Sequence, residues 1–229
     1  MSDPLAVIDT VIWDFNGTIL NDIDLVVRTV NGQLSKRGLP PLTIAEYRDV
    51  FGFPVEDYYR RIGVTFEDES MAQLSADFFA EYEQQLIDCR LHDGVLDALT
   101  DLAGAGVRQF VLSAMEERML RATLGALGVL DRFVAAYGLA HQEGDSKISR
   151  GRELIADYAV DPATALMIGD TDHDAEVADA LGIGAILVAT GHQNVERLRA
   201  TGRDVCEDAG GLMGHVLAIR VKAPRPDPR

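Results

Sequence analysis

At 229 residues and 47% hydrophobic, the chain is long enough for one large core, or for a core plus a small second module. Its 37 acidic against 21 basic residues give a net charge of −16, with no Lys/Arg cluster longer than Lys36-Arg37 or Arg60-Arg61, which argues against nucleic acid or anionic membrane as partners because neutralising phosphates needs a basic surface. Cys89 and Cys206 lie far apart without metal-ligand companions, and neither a basic-then-apolar leader nor an apolar run of about 18 residues occurs, so a disulfide framework, a zinc site, a signal peptide and a membrane span are not expected and a reducing cytoplasm is.

The run Leu5 to Trp13, apart from Asp9 and Thr10, reads as a strand buried on both faces. It ends at Asp14, followed by a turn through Asn16, Gly17 and Thr18, so Asp14 stands at a strand tip where parallel sheets bind ligands. A carboxylate placed there becomes a nucleophile when a cation and backbone N–H groups hold it in line with an electrophilic phosphorus.

From Asn21 to Arg90 the patterns are all helical. Ile23, Val26, Val27, Val30 and Leu34 share one face, which stops at Gly38-Leu39-Pro40. Thr43 to Glu46 spells a capping box, Pro54 opens a third helix, and Met71, Leu74, Phe78, Tyr82 and Leu86 line the longest one, a stripe read as packed within a bundle. Beyond residue 91 strands and helices alternate. Strands are expected at Val107–Leu112, Phe133–Ala136, Ala165–Ile168 and Ala185–Val188, and helices at about 94–103, 116–127, 148–159, 174–181 and 194–201, with right-handed crossovers making the sheet parallel. The expected fold is thus α/β: a Rossmann-like parallel sheet core over 1–20 and 91–221, a helical-bundle cap inserted over 21–90, and a Pro-rich disordered tail over 222–229. A module entering at Leu20-Asn21-Asp22 and leaving at Leu91-His92-Asp93-Gly94 sits above the strand tips, where it can close and exclude water.

Three further stretches carry chemistry. Ser113 follows Phe110-Val111-Leu112 and reads either as a turn residue or as a phosphate partner; Lys147, before a helical pattern, reads either as solvated or as a phosphate partner. Asp170, Asp172 and Asp174 crowd a strand-to-helix turn and would repel one another unless a hard divalent cation such as Mg²⁺ lay between them and Asp14, although Asp174 also reads as a plain N-cap for Ala175 onward.

Taken in order, Asp14, Ser113, Lys147 and Asp170/Asp174 resemble the four motifs of the haloacid dehalogenase superfamily, and the branch resembled is that of the phosphoglycolate phosphatases. The resemblance implies a phosphoric monoester hydrolase. Asp14 is then phosphorylated, the Asn16 carbonyl, Asp14, Asp170 and Asp174 hold Mg²⁺, and Gly17, Ser113 and Lys147 hold the phosphoryl group of a small phosphorylated metabolite. One position departs from the pattern: the family's phosphatases usually carry an acid/base Asp two residues after the nucleophile, and Asn16 cannot shuttle a proton. Three explanations stand: a natural Asn16 with His173 or bulk water taking the proton, a leaving group that needs none, or an introduced trapping substitution. The alternative to a phosphatase is a slow or non-hydrolysing phosphate-binding or regulatory protein. Substrate choice falls to Phe51-Gly52-Phe53-Pro54, Tyr58, Tyr59 and Arg60 in the cap and to His192-Gln193 after the last expected strand.

Overall fold

The computed structural model describes residues 8–67, 69–140, 146–212 and 214–216, so the start of the first expected strand and the proposed tail over 222–229 lie outside the described residues. The backbone begins with strand β1 (Thr10–Trp13), then β2 (Leu20–Asn21) and four helices, α1 (Ile23–Lys36), α2 (Ile44–Val50), α3 (Val55–Arg61) and α4 (Met71–Gln85). It returns through β3 (Arg90–Leu91) and α5 (Val95–Gly104) into the alternating part: β4 (Arg108–Glu116), α6 (Glu117–Ala126), β5 (Ala135–Leu139), α7 (Lys147–Asp157), β6 (Ala165–Gly169), α8 (Asp172–Leu181), β7 (Gly184–Val188), α9 (Val195–Ala200) and β8 (Asp204–Cys206).

Six strands form one parallel sheet in the order β5-β4-β1-β6-β7-β8. The chain runs outward from β1 in one direction, then restarts at β6 on the other side, which makes the β1/β6 boundary the point where strand order reverses and a ligand crevice opens. Trp13 is in register with Ile168 on one neighbour and Val111 on the other. The residues just after them therefore reach the crevice together.

Alternation along the strands feeds two cores. Val11, Trp13, Val111 and Ile168 belong to one cluster with Val95, Leu99 and Leu102 of α5 and Leu120 and Leu124 of α6, continuous with the first four helices, while Ile12, Phe110, Leu112 and Met167 face the other side and pack on Leu154, Val177 and Leu181. All of these are buried, as expected of a parallel sheet covered on both faces.

Three features differ from the sequence reading. Strand β4 runs on through Ser113 to Glu116, with its register against β5 shifting between Leu112 and Glu116, because the chain bulges there before α6 begins. Strand β8 was not anticipated: Asp204-Val205-Cys206 is too short and too polar to stand out, and is held by backbone pairing to Ile186, Leu187 and Val188. The antiparallel ribbon β2–β3 was not anticipated either; it ties together both ends of the helical segment, pairing Leu20 with Leu91. The capping box at Thr43 and Glu46 forms as the sequence spells it, with Glu46 N–H donating to Thr43 Oγ1 at 3.2 Å and Thr43 N–H to Glu46 Oε2 at 2.8 Å.

Candidate active site

Backbone pairing first sets the carboxylates. Asp14 N–H donates to Ile168 O at 2.8 Å, extending the β1/β6 ladder by one residue, so Asp14 and Asp170 emerge side by side from adjacent strands. Asp174 lies in the first turn of α8. Its Oδ2 accepts from Asp170 N–H (3.1 Å), Thr171 N–H (2.9 Å) and Thr171 Oγ1 (2.7 Å), while its Oδ1 accepts from Lys147 Nζ at 2.6 Å. The helix is therefore capped by Thr171 rather than by Asp174, and Asp174 serves the turn and the site at once, one oxygen to each. Lys147, the first residue of α7, also bonds Asp14 Oδ1. Asp14, Lys147, Asp170 and Asp174 are all buried.

Charge follows from this burial. Loss of solvent, with Asp174 and Asp170 close by, pushes Asp14 up to about 7 against the pull of Lys147. Burial likewise lifts Asp170 to about 6, against the pull of His192. Asp174 is desolvated too, but the Lys147 ammonium and the Thr171 hydrogen bonds hold it below the usual carboxylate range. Lys147 is penalised by its own burial, yet two carboxylates in contact hold it protonated. One oxygen from each of Asp14, Asp170 and Asp174 lies within 4.8 Å of the others. Three carboxylates against one ammonium, all oxygen donors, suit a hard divalent cation.

A tightly closed turn supports Asp170. Thr18 Oγ1 donates to its Oδ1 at 3.0 Å and His192 N–H to its Oδ2 at 2.7 Å. Gly17 has a φ of +75°, and a Cβ there would stand 2.6 Å from the His192 ring and 2.8 Å from Asp170 Cγ; at Gly191 one would stand 2.6 Å from Gly17 O. Larger residues at either position would drive the carboxylate out of place.

Several expected site residues sit elsewhere than the sequence suggested. The Gly17 N–H, expected at the phosphate, is turned into the loop and donates to Leu20 O (2.9 Å) and Asp22 Oδ1 (3.0 Å). Ser113 is buried with its Oγ accepting Met115 N–H at 3.0 Å, so the turn role is realised, and the residue lines the same cavity as Asp14 and Lys147. His173 stands at the cavity rim, its Nδ1 3.1 Å from Glu176 Oε2 and its ring 4.6 Å from that of Phe53. Among the cap candidates, Phe51, Phe53, Tyr58 and Tyr59 line the cavity, whereas Arg60 pairs with Glu56 and covers Phe66. Gln193 buttresses α8 by bonding Asp172 N–H and Oδ1, both at 2.7 Å. The α4 stripe divides: Leu74 and Tyr82 are buried, while Met71 and Phe78 border the cavity.

The residue that sequence reasoning missed is Asp22. It is 1% exposed and gathers four donors: Gly17 N–H (3.0 Å) and His192 Nε2 (3.3 Å) on Oδ1, Tyr82 OH (2.6 Å) and Asn16 Nδ2 (2.9 Å) on Oδ2. Burial works against its ionisation, but His192, Tyr82 and Asn16 outweigh it and hold Asp22 below the usual carboxylate range. The same carboxylate raises His192 to about 9 despite that ring's burial, and Tyr47 OH lies 3.1 Å from the other ring nitrogen. Asn16 Nδ2 bonds Tyr82 OH as well, at 2.8 Å. Its surroundings thus offer two acceptors to two amide hydrogens, a complement to asparagine rather than aspartate. Only the position of Asp22, five residues past Gly17 at the mouth of the helical segment, could have pointed to it.

A fold wound about the β1/β6 crevice, with an aspartate at each strand tip and a lysine between them, defines a class. The chain belongs to the haloacid dehalogenase-like hydrolase family, whose model matches residues 11–188. It is 25% identical over 197 residues to a phosphoglycolate phosphatase of Synechococcus elongatus, covering 83% of this chain and 88% of that protein. To the probable phosphatase IndB of Dickeya dadantii it is 26% identical, over 86% and 88% of the two chains. In structure it resembles a predicted phosphatase from Clostridium acetobutylicum, with a TM-score of 0.79 at 19% identity over 93% of this chain and all of that one.

Proposed function

We propose that this protein is a Mg²⁺-dependent phosphatase that hydrolyses a small phosphomonoester through an aspartyl-phosphate on Asp14. The observation that carries the reading is Lys147 Nζ lying between Asp14 and Asp174 in a buried cluster at the sheet's switch point. The phosphatase relatives agree with it.

In this reading an Asp14 carboxylate oxygen forms a bond to phosphorus as the bond to the ester oxygen breaks, and the leaving group departs with the electron pair. Lys147 favours the ionised form of Asp14 against its burial and takes a phosphoryl oxygen as charge moves outward; the Ser113 hydroxyl takes another. Water then attacks the same phosphorus, the bond to Asp14 breaks and returns its electron pair to the carboxylate, and inorganic phosphate leaves with the water's proton passing to phosphate or solvent. Asp14, Asp170, Asp174 and the Asn16 carbonyl are the residues that would hold Mg²⁺, which when bound neutralises phosphoryl charge and aligns the ester. Residues 21–90 act as a cap: α2 and α4 approach the crevice from above, Arg48 donating to Gly191 O and Thr190 O at 2.8 Å each and Tyr82 reaching Asp22. Bulk solvent is thereby kept from the phosphoryl group while Asp14 attacks.

A panel of small phosphate esters with Mg²⁺, run with and without chelator on the wild type and on Asp14→Asn, tests this. Turnover should need both the cation and Asp14. Activity surviving in a clean Asp14→Asn preparation would sink the mechanism.

A further inference from the structure

We infer that the ester cleaved here is an aryl phosphate, whose ring occupies an apolar chamber under the helical segment and whose oxygen leaves unprotonated. The inference rests on the phosphatase reading and rests on two independent observations, one about the chamber and one about Asn16.

The cavity that begins at Asp14, Ser113 and Lys147 has a volume of about 330 Å³ and continues upward between Val26, Val30, Phe51, Met71, Phe78 and Phe79. A cavity of about 150 Å³ lined by aliphatic and aromatic side chains already takes a benzene ring, so this one has room for a phosphoryl group and one or two fused rings. Phe53 and Phe79 are 39% and 45% exposed, apolar surface that faces solvent on the chamber's wall and that a ring would cover.

Charge on the wall points the same way. Among the described residues, the basic side chains that line the cavity are Lys147, His173 and His192, and each already has a carboxylate: Asp14 and Asp174, Glu176, and Asp22. The described residues of the cap contribute no basic side chain to that lining. A substrate bearing a second anion, such as a carboxylate, would give up its hydration there with nothing to pair it.

Asn16 supplies the second observation. Both hydrogens of its amide are committed, one to Asp22 Oδ2 and one to Tyr82 OH, and an amide releases no proton in any case. Asn16 therefore gives the ester oxygen no proton, a loss best met by an oxygen that departs as an anion and collects its proton from solvent afterwards. A phenol, with a pKa of about 10, tolerates that; an alcohol, nearer the value of about 15.7 for water, does so poorly. An apolar chamber and a missing acid together select an aromatic ring attached directly to the phosphate oxygen.

Four esters separate the two parts on the full-length chain with Mg²⁺: 2-naphthyl phosphate, 4-carboxyphenyl phosphate, hexyl phosphate and phosphoglycolate. The expected result is a lower KM for the two apolar esters, a faster burst of Asp14 phosphorylation for the two aryl esters, and a kcat/KM for 2-naphthyl phosphate at least about 10²-fold above that for phosphoglycolate, in line with the worth of general acid catalysis. Phe79→Glu, at an exposed position that can be changed without disturbing the fold, should raise KM for 2-naphthyl phosphate about tenfold, the worth of roughly two buried methylenes; Met71→Lys should do the same and also narrow the preference over 4-carboxyphenyl phosphate. Preference for the charged esters, or a KM indifferent to both substitutions, overturns the proposal while leaving the phosphatase reading intact. Equal rates of Asp14 phosphorylation by hexyl and 2-naphthyl phosphate, read from the pre-steady-state burst, overturn it as well, through the leaving group. Silence on all four and on acetyl phosphate, whose leaving group needs no acid, removes the phosphatase reading itself.

Discussion

Replacing Asp22 by asparagine should cost this protein far more than a surface carboxylate would. Asp22 accepts from the loop after β1 through Gly17 and Asn16, from α4 through Tyr82, and from the loop after β7 through His192, so one side chain fixes three separate segments. Asparagine keeps the shape but turns one acceptor oxygen into a donor, leaving two of the four donors facing an N–H. Hydrogen bonds to a charged group contribute about 1.5–3 kcal/mol each, and breaking a buried pair by removing one partner costs about 3–5 kcal/mol. Because the two losses share a site and relax together, a net cost of about 4 kcal/mol is expected for Asp22→Asn, against a total stability on the order of 5–15 kcal/mol. For a chain of this size that lowers Tm by roughly 8–16 °C. Urea denaturation of Asp22→Asn, Tyr82→Phe and the double variant measures both the cost and the coupling. A loss under about 1 kcal/mol, or strictly additive single effects, would refute the idea that Asp22 is the node.

Two other outcomes follow from the site. Mg²⁺ at about a hundred times its dissociation constant should stabilise the fold by about 2.7 kcal/mol, a rise of roughly 5–11 °C in Tm for a chain of this length; Asp170→Asn should abolish most of that rise, and a wild-type Tm indifferent to millimolar Mg²⁺ would place the cation elsewhere. Asn16→Asp should lose about 1–3 kcal/mol of stability, because an amide that donates to Asp22 and Tyr82 becomes a second carboxyl group 2.9 Å from the first. It should at the same time speed alkyl phosphate hydrolysis by about 10²-fold by restoring an acid and base, with phosphorylation of Asp14 by aryl esters nearly unchanged; a variant slower on every ester would mean that the amide itself serves the chemistry.

The strands and the order of the site residues were legible because local pattern and topology write them directly. A β-branched run ending in Asp14, and a second ending in Gly169-Asp170, can only bring those aspartates together if the strands are neighbours, and β1 and β6 are. Lys147 was legible for the same reason: it opens a helix that starts beside the same crevice. What stayed hidden depends on contacts with no local trace. Tyr82 belongs to a helical stripe that looks like core, and nothing in that stripe reveals that its hydroxyl crosses 60 residues of sequence to Asp22. His192 reads as a loop histidine, yet its backbone holds Asp170 and its ring faces Asp22, because Gly191 lets the loop after β7 press against Gly17. Asn16 shows how the two levels meet. From sequence it is a missing acid with three competing explanations; in place, its amide hydrogens meet two acceptors that an aspartate would oppose. Asn16 is therefore matched by its surroundings, which is why a leaving group that needs no proton is the chemistry proposed for it.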